Sequence, residues 1–234
     1  RGLGDVYKRQ SNNTAVGYSS LGANTTGTDN TAVGESSGAA VTTGINNTLI
    51  GAEAGDALTD ADHNTAVGFR SLSTNVLGSR SVSVGAGSLF SQNPASAANM
   101  YNVGVGYEAG VSITTGVQNT LIGGLAGDAI TTGSNNVAVG YVSLTANTTG
   151  EDNIAIGALA IADNTTGSNN VGIGREALEK NTTASNNTAI GHQALAVNTT
   201  GTINTALGRQ ALANNTTGTH NTACLLYTSP SPRD

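Results

Sequence analysis

Small, aliphatic and polar positions recur along this chain with a fixed period. The glycine that closes each Asn-Thr-Ala-Val-Gly-like motif serves as a marker, and it stands at Gly17, Gly34, Gly51, Gly68, Gly85, Gly106, Gly123, Gly140, Gly157, Gly174, Gly191 and Gly208. Every step is 17 residues except Gly85 to Gly106, which is 21. The four extra residues fall near Pro94 and Met100, within 86–102. The consensus is N-T-A-(V/I)-G-x-x-(A/S)-L-x-x-N-T-T-G-x-x. The residue before the marker is Val or Ile in eleven of twelve units and Leu207 in the last. Three residues after it stands Ala or Ser, and four before it Asn, replaced once by Ser81.

A second regularity concerns large side chains. Four residues after the marker most units carry Leu or Ile, and seven after it Asn or Gln: Leu21 with Asn24, Leu144 with Asn147, Ile161 with Asn164, Leu195 with Asn198. Four units reverse this, carrying Gly38 with Val41, Gly55 with Leu58, Gly110 with Ile113 and Gly127 with Ile130. Both sites therefore point into one core volume that holds one large side chain per unit. Overfilling or emptying it would each cost about 1–3 kcal/mol or more.

Seventeen residues are too few for a helix-turn-helix repeat of about 34, and Gly, Asn and Thr are poor helix formers. Thr-Ala-Val alternates in the strand manner, with its two β-branched ends facing one side. Asn-Thr-Thr-Gly and the closing Gly are turn-like. Each unit thus predicts one coil of two short strands and two turns. A lone coil buries two aliphatic side chains, roughly 3–6 kcal/mol, against about 1–2 kcal/mol per residue to order its backbone. Stacking must close that gap. The predicted fold is all-β, a parallel β-solenoid with one 17-residue repeat per coil. Twelve complete coils at about 4.8 Å per rung span roughly 58 Å. Identical residues then form columns, with Asn amides bonding along the axis. The Ala, Ser and Gly columns imply a thin coil, or a face packed tightly on another chain.

The units Asn187-Thr188-Ala189-Ile190-Gly191 followed by Ala194-Leu195, and Asn204-Thr205-Ala206-Leu207-Gly208 followed by Ala211-Leu212, resemble head repeats of trimeric autotransporter adhesins of the YadA-like type. They also resemble repeats of bacteriophage tail fibres. The resemblance covers essentially all of 11–223. It implies a left-handed parallel β-roll, side-by-side association of three chains, and a role in adhesion or host attachment, on a bacterial outer surface or a virion tail. The family's better-known adhesin repeat is shorter than the repeat found here.

The two ends do not share the repeat. Residues 1–10 (RGLGDVYKRQ) and 224–234 (CLLYTSPSPRD) can be encoded by one DNA sequence read on opposite strands, as a translated transposon-type sequencing adapter would be. Between them, 11–223 is the repeat region, with no thiol and one proline, Pro94. Five Lys and Arg stand there against thirteen carboxylates, a net charge of −8. That balance argues against a nucleic-acid partner, since phosphate binding needs clustered cations. Without a Cys there is no disulfide framework, and no apolar run of about 18 residues predicts a membrane span in this segment.

Candidate chemistry is sparse, and no enzymatic role is expected. His63 and His220 share a repeat position but lie roughly 40 Å apart on the rung spacing, and His192 is near neither, so no metal or cofactor site is expected. Ser, His and carboxylate do not recur together, and carboxylates scatter over different columns. The local V-G-x-x-S-L string fits the hexapeptide of β-helix acyltransferases, but neighbouring hexads do not. The Thr pairs, such as Thr25-Thr26, Thr148-Thr149, Thr165-Thr166 and Thr199-Thr200, offer an ice-binding alternative. Asn-x-Thr strings match a glycosylation acceptor, which repetition alone generates. The column just after the marker holds Tyr18, Phe69, Tyr107 and Tyr141, then Arg175, His192 and Arg209. A variable column on a fixed scaffold, rich in aromatics and Arg, is the candidate receptor contact, a glycan being one possible receptor. The insertion bearing Pro94, Met100 and Tyr101 reads as a tolerated bulge, and Arg70 over Glu53 as an exposed ion pair.

Overall fold

The structure is a computed structural model and describes residues 12–224. The adapter reading of 1–10 lies outside the described residues, as does that of 225–234. Cys224 is described as an exposed free thiol.

The chain winds into a parallel β-solenoid, and no helix forms among the described residues. One sheet of thirteen parallel strands runs its length in register. Thr14 pairs with Thr31, Val137 with Ile154, and Ile173 with Ile190. Its strands are only three residues long, as in Val137–Val139 and Thr188–Ile190, the last, Thr222–Ala223, having two.

The expected second strand per coil does not form. The remaining residues turn continuously, because positions in each coil adopt left-handed backbone. Around Gly140 these are Asn135, Val142 and Leu144, with φ of 60°, 55° and 54°. Such residues break the extended geometry a strand needs. The coil still bonds rung to rung there, with Leu21 N–H donating to Ser37 O (3.1 Å) and Ala23 N–H to Ala39 O (3.0 Å). Among the described residues, a second strand pair appears only beside the insertion, Gly78–Ser79 with Ala98–Asn99.

The marker glycine has a steric reason. Gly140 has φ +138°, and a Cβ on it would lie 2.7 Å from the carbonyl carbon and oxygen of Gly157 on the next rung. No L side chain fits that approach.

The middle residue of each strand points inward: Ala32, Ala66, Ala138 and Ala155 are fully buried. Behind it lie the Ala/Ser column and the large aliphatic column. Buried serines are satisfied, Ser37 Oγ donating to Leu49 O (2.8 Å). The exchange between the two large-residue sites has a cause beyond their shared volume. Leu49 and Leu121 replace Ala at the inward strand position. A Cβ on Gly38 or Gly55 would come within 2.6 or 2.7 Å of Leu49, and one on Gly110 or Gly127 within 2.6 or 2.8 Å of Leu121. The four reversed units are thus two pairs, each flanking one inward Leu.

Two amide ladders run inside the stack. In the first, the backbone N–H and the side-chain amide of Asn47 both donate to Asn30 Oδ1 (2.9 and 3.1 Å), and the amide also donates to Ala61 O (2.8 Å). In the second, Asn164, Asn181, Asn198 and Asn215 each donate to the Asn one rung back, at 2.9–3.0 Å. The insertion is not a simple bulge. Met100 and Pro94 are buried, and Met100 Cγ lies 2.9 Å from where a Cβ on Gly78 would stand, filling the interior of the irregular coil. The flexible thioether suits that gap.

Candidate functional site

Because the middle strand residue is Ala, the β-branched residues on either side of it face outward. Ile122, Ile156 and Leu207 are 40, 38 and 49% exposed. The neighbouring outward column reads Thr14, Thr31, Thr48, Thr65, Val82, Val103, Thr120, Val137, Ile154, Val171, Thr188, Thr205 and Thr222. Neither column contains a charged residue. An uncharged, largely aliphatic face therefore runs along the whole sheet. Reasoning from sequence missed it. The only clue was the small residue at the strand centre, which suits the inside of a thin coil better than Val or Ile does.

The column after the marker lies along the border of this face. Phe69, Tyr107 and Tyr141 are 53, 60 and 63% exposed, and Tyr18 more so. Arg175 and Arg209 are exposed and His192 is half-buried. The structure brings Phe69 and Tyr107 together. Both line a hollow of about 430 Å³ with Arg70, Ala86, Gly87, Phe90, Glu108 and Val111. Tyr18 and the group Arg175, His192 and Arg209 do not line it. Phe90, Val111 and Glu108 were not singled out from sequence, since their positions vary freely between units.

Electrostatics at this border are modest. Arg70 Nε meets Glu53 Oε2 at 2.6 Å, and the guanidinium lies 5.2 Å from the Phe69 ring centroid. Both partners are substantially exposed, so the pair contributes about 1 kcal/mol at most. A hydrogen bond to Glu108 holds the Tyr107 phenol above its usual range, with the neighbouring negative charge adding to this. Further along, the Gln193 amide donates to Glu176 Oε2 (2.7 Å), and Arg175 lies 2.6 Å from Oε1. Glu176 is thereby held below the usual carboxylate value, the Gln193 hydrogen bond being the largest cause.

Comparison with family models, curated proteins and solved structures finds no match.

Other candidate chemistry is dispersed. His63 and His220 are both exposed, and His63 Nε2 sits 3.4 Å from the Asn46 amide. Among the described residues, no group of three or more His, Cys, Asp or Glu is placed to hold a metal ion. No described helix is long and apolar enough to cross a membrane. In the Thr pairs, the first hydroxyl turns into the stack: Thr148 Oγ1 donates to Thr165 O (3.0 Å) and Thr165 Oγ1 to Thr182 O (3.0 Å). In the pairs Thr148-Thr149, Thr165-Thr166 and Thr199-Thr200 only the second Thr is exposed, leaving a single file where an array was expected; at Thr25-Thr26, near the end of the stack, both are exposed. The acceptor-like Asn147, Asn164 and Asn198 are fully buried, so the folded chain does not present them for glycosylation.

Proposed function

We propose that this chain is a structural and adhesive segment of a fibrous attachment protein, an adhesin head or a phage tail fibre, acting outside the cell or on a virion. One observation carries the reading: an uncharged aliphatic face extends the length of the stack. Exposed apolar patches of this extent mark association surfaces, and a face that repeats on every rung suits side-by-side packing with copies of itself. Three copies packed on these faces form a rod whose core is the joined Val and Ile columns. The border column then lies beside the seam, presenting its aromatic and cationic side chains to a receptor.

Sedimentation of the repeat region tests this. The expected result is a trimer at micromolar concentration. The pair Val139→Asp and Ile156→Asp, which places charges on the outward face of adjacent rungs, gives monomers with an unchanged strand spectrum by circular dichroism. A monomeric parent chain would end the side-by-side packing proposed for this face.

The same face supports a second reading, ice binding, since Thr and Val/Ile repeat there in two straight columns at regular rungs. A monomer with measurable thermal hysteresis would favour it over the fibre.

A further inference from the structure

The border column alternates in size. On successive rungs it reads Ala52, Phe69, Ala86, Tyr107, Gly124, Tyr141, Ala158 and Arg175. The rungs are consecutive in the sheet, through the strands Thr65–Val67, Val82–Val84, Val103–Val105, Thr120–Ile122 and Val137–Val139. Aromatic rings therefore recur at every second rung, about 9.6 Å apart. The intervening Ala or Gly leaves each ring room to lie along the axis. A Cβ on Gly124 would meet only the Tyr141 ring, at an ordinary contact of 3.7 Å. Between Phe69 and Tyr107 this arrangement opens the 430 Å³ hollow, with Ala86 and Gly87 between the rings and Arg70 and Glu108 also lining it.

A site that repeats at a fixed interval selects a ligand with the same interval, which means a polymer. We propose that the Phe69–Tyr107–Tyr141 column is a binding track for an extended, uncharged polysaccharide of equatorially linked pyranose rings, with one two-sugar repeat per aromatic ring. This rests on the attachment reading above and assigns it a ligand class. The C–H-rich face of a pyranose packs on the electron-rich face of an aromatic ring. An extended two-sugar repeat is close in length to two rungs. Sugar hydroxyls both donate and accept, so they suit Arg70 and the carboxylates Glu53 and Glu108 alike.

Two other periodic polymers fit less well. Nucleic acid stacks on aromatic tracks but needs a cationic groove, whereas the chain carries a net charge of −6. That charge also disfavours acidic polysaccharides. A proline-rich helix repeats at about 9.3 Å. Its backbone carbonyls and missing N–H groups, however, offer no donors to Glu53 and Glu108.

The test is titration of the repeat region, followed by nuclear magnetic resonance, with β-1,4-linked hexamers of glucose and of N-acetylglucosamine. An α-1,4-linked glucose hexamer and a proline-rich peptide serve as comparisons. Saturable shifts are expected at residues 69–141 with at least one β-linked hexamer. Tyr107→Ala weakens binding about five- to tenfold, the loss of one stacked ring. Gly124→Leu keeps every ring but fills an intervening rung, and weakens binding to a similar degree. Amide spectra of each variant establish that it is folded. The proposal is overturned by absent binding at millimolar sugar, by unchanged affinity in folded Tyr107→Ala, or by preference for the α-linked sugar or the peptide. It is also overturned if Tyr107→Ala dissociates the assembly and leaves sugar affinity intact. Sedimentation of the same samples separates the two readings: a sugar-binding monomer sinks self-association alone, and a trimer without sugar binding sinks the track alone.

Discussion

Individual residues in this stack hold backbone conformations they would not choose alone. Val142, Ile161 and Ile203 are β-branched yet left-handed, with φ of 55°, 50° and 58°. Each costs about 1–2 kcal/mol relative to Gly or Asn, and bonding to the neighbouring rungs enforces it. Two substitutions close in sequence should therefore act in opposite directions. Val142→Asn relieves strain and stabilises by up to about 1 kcal/mol. Gly140→Ala drives a Cβ into the Gly157 carbonyl and destabilises by about 3 kcal/mol or more. Urea midpoints of the two variants measure both. Glu176 gives a pH prediction. Its carboxyl titrates below the ordinary value of 4.5 in the folded chain. Its contribution is therefore present above the unfolded value and is lost as pH falls through the folded one. In Gln193→Leu the largest cause disappears, and carbon-detected titration should find the Glu176 value moved back upward. The marker glycines were legible as a recurrence. The left-handed residues were less so, because Leu, Glu and Val carry no turn signature. The exception is the site holding Asn12, Asp29, Asn46, Asn135 and Asn169, whose side chains suit positive φ.

At the level of the coil, one volume is divided among three positions, and sequence alone exposed two of them. The exchange of Leu144 with Asn147 for Gly127 with Ile130 was readable as a packing rule. That Leu49 and Leu121 trigger the exchange was not, because a strand of alternating residues does not say which side is inward. The consequence is a repacking experiment. Gly127→Leu alone collides with Leu121 and Ile130, costing about 1–3 kcal/mol by overpacking. Adding Ile130→Asn and Leu121→Ala recreates the ordinary unit, in which Leu144 already tolerates φ 54°. Because Leu121 also fills the space beside Gly110, thermal unfolding should recover in part in the triple variant and return to near the parent value only when Gly110→Leu and Ile113→Asn are added. The second amide ladder makes a parallel demand. Asn164→Ala strips the Asn147 oxygen of the Asn164 amide and the Asn181 amide of its Asn164 acceptor, with a cost of about 1–3 kcal/mol for buried groups. Hydrogen exchange should report the damage at neighbouring rungs first, since each coil touches only its neighbours.

Across the whole molecule, order is one-dimensional. Among the described residues, distant coils are joined only through the coils between them, and stability accumulates rung by rung. The solenoid was legible because a 17-residue period leaves few other ways to bury so little apolar surface per unit. Which face meets solvent was not legible, and neither was the size alternation of the border column, which matters only once rungs are known to stack in register. Uniform stacking also raises a problem of indexing. Two rods with the same face on every rung can slide by one rung and exchange almost identical neighbours, and a folding chain can skip a repeat with little energetic protest. The 21-residue step is the single irregular tooth on this ratchet. With Met100 seated inside it and no equivalent elsewhere, it gives the chain an origin from which every other coil is counted.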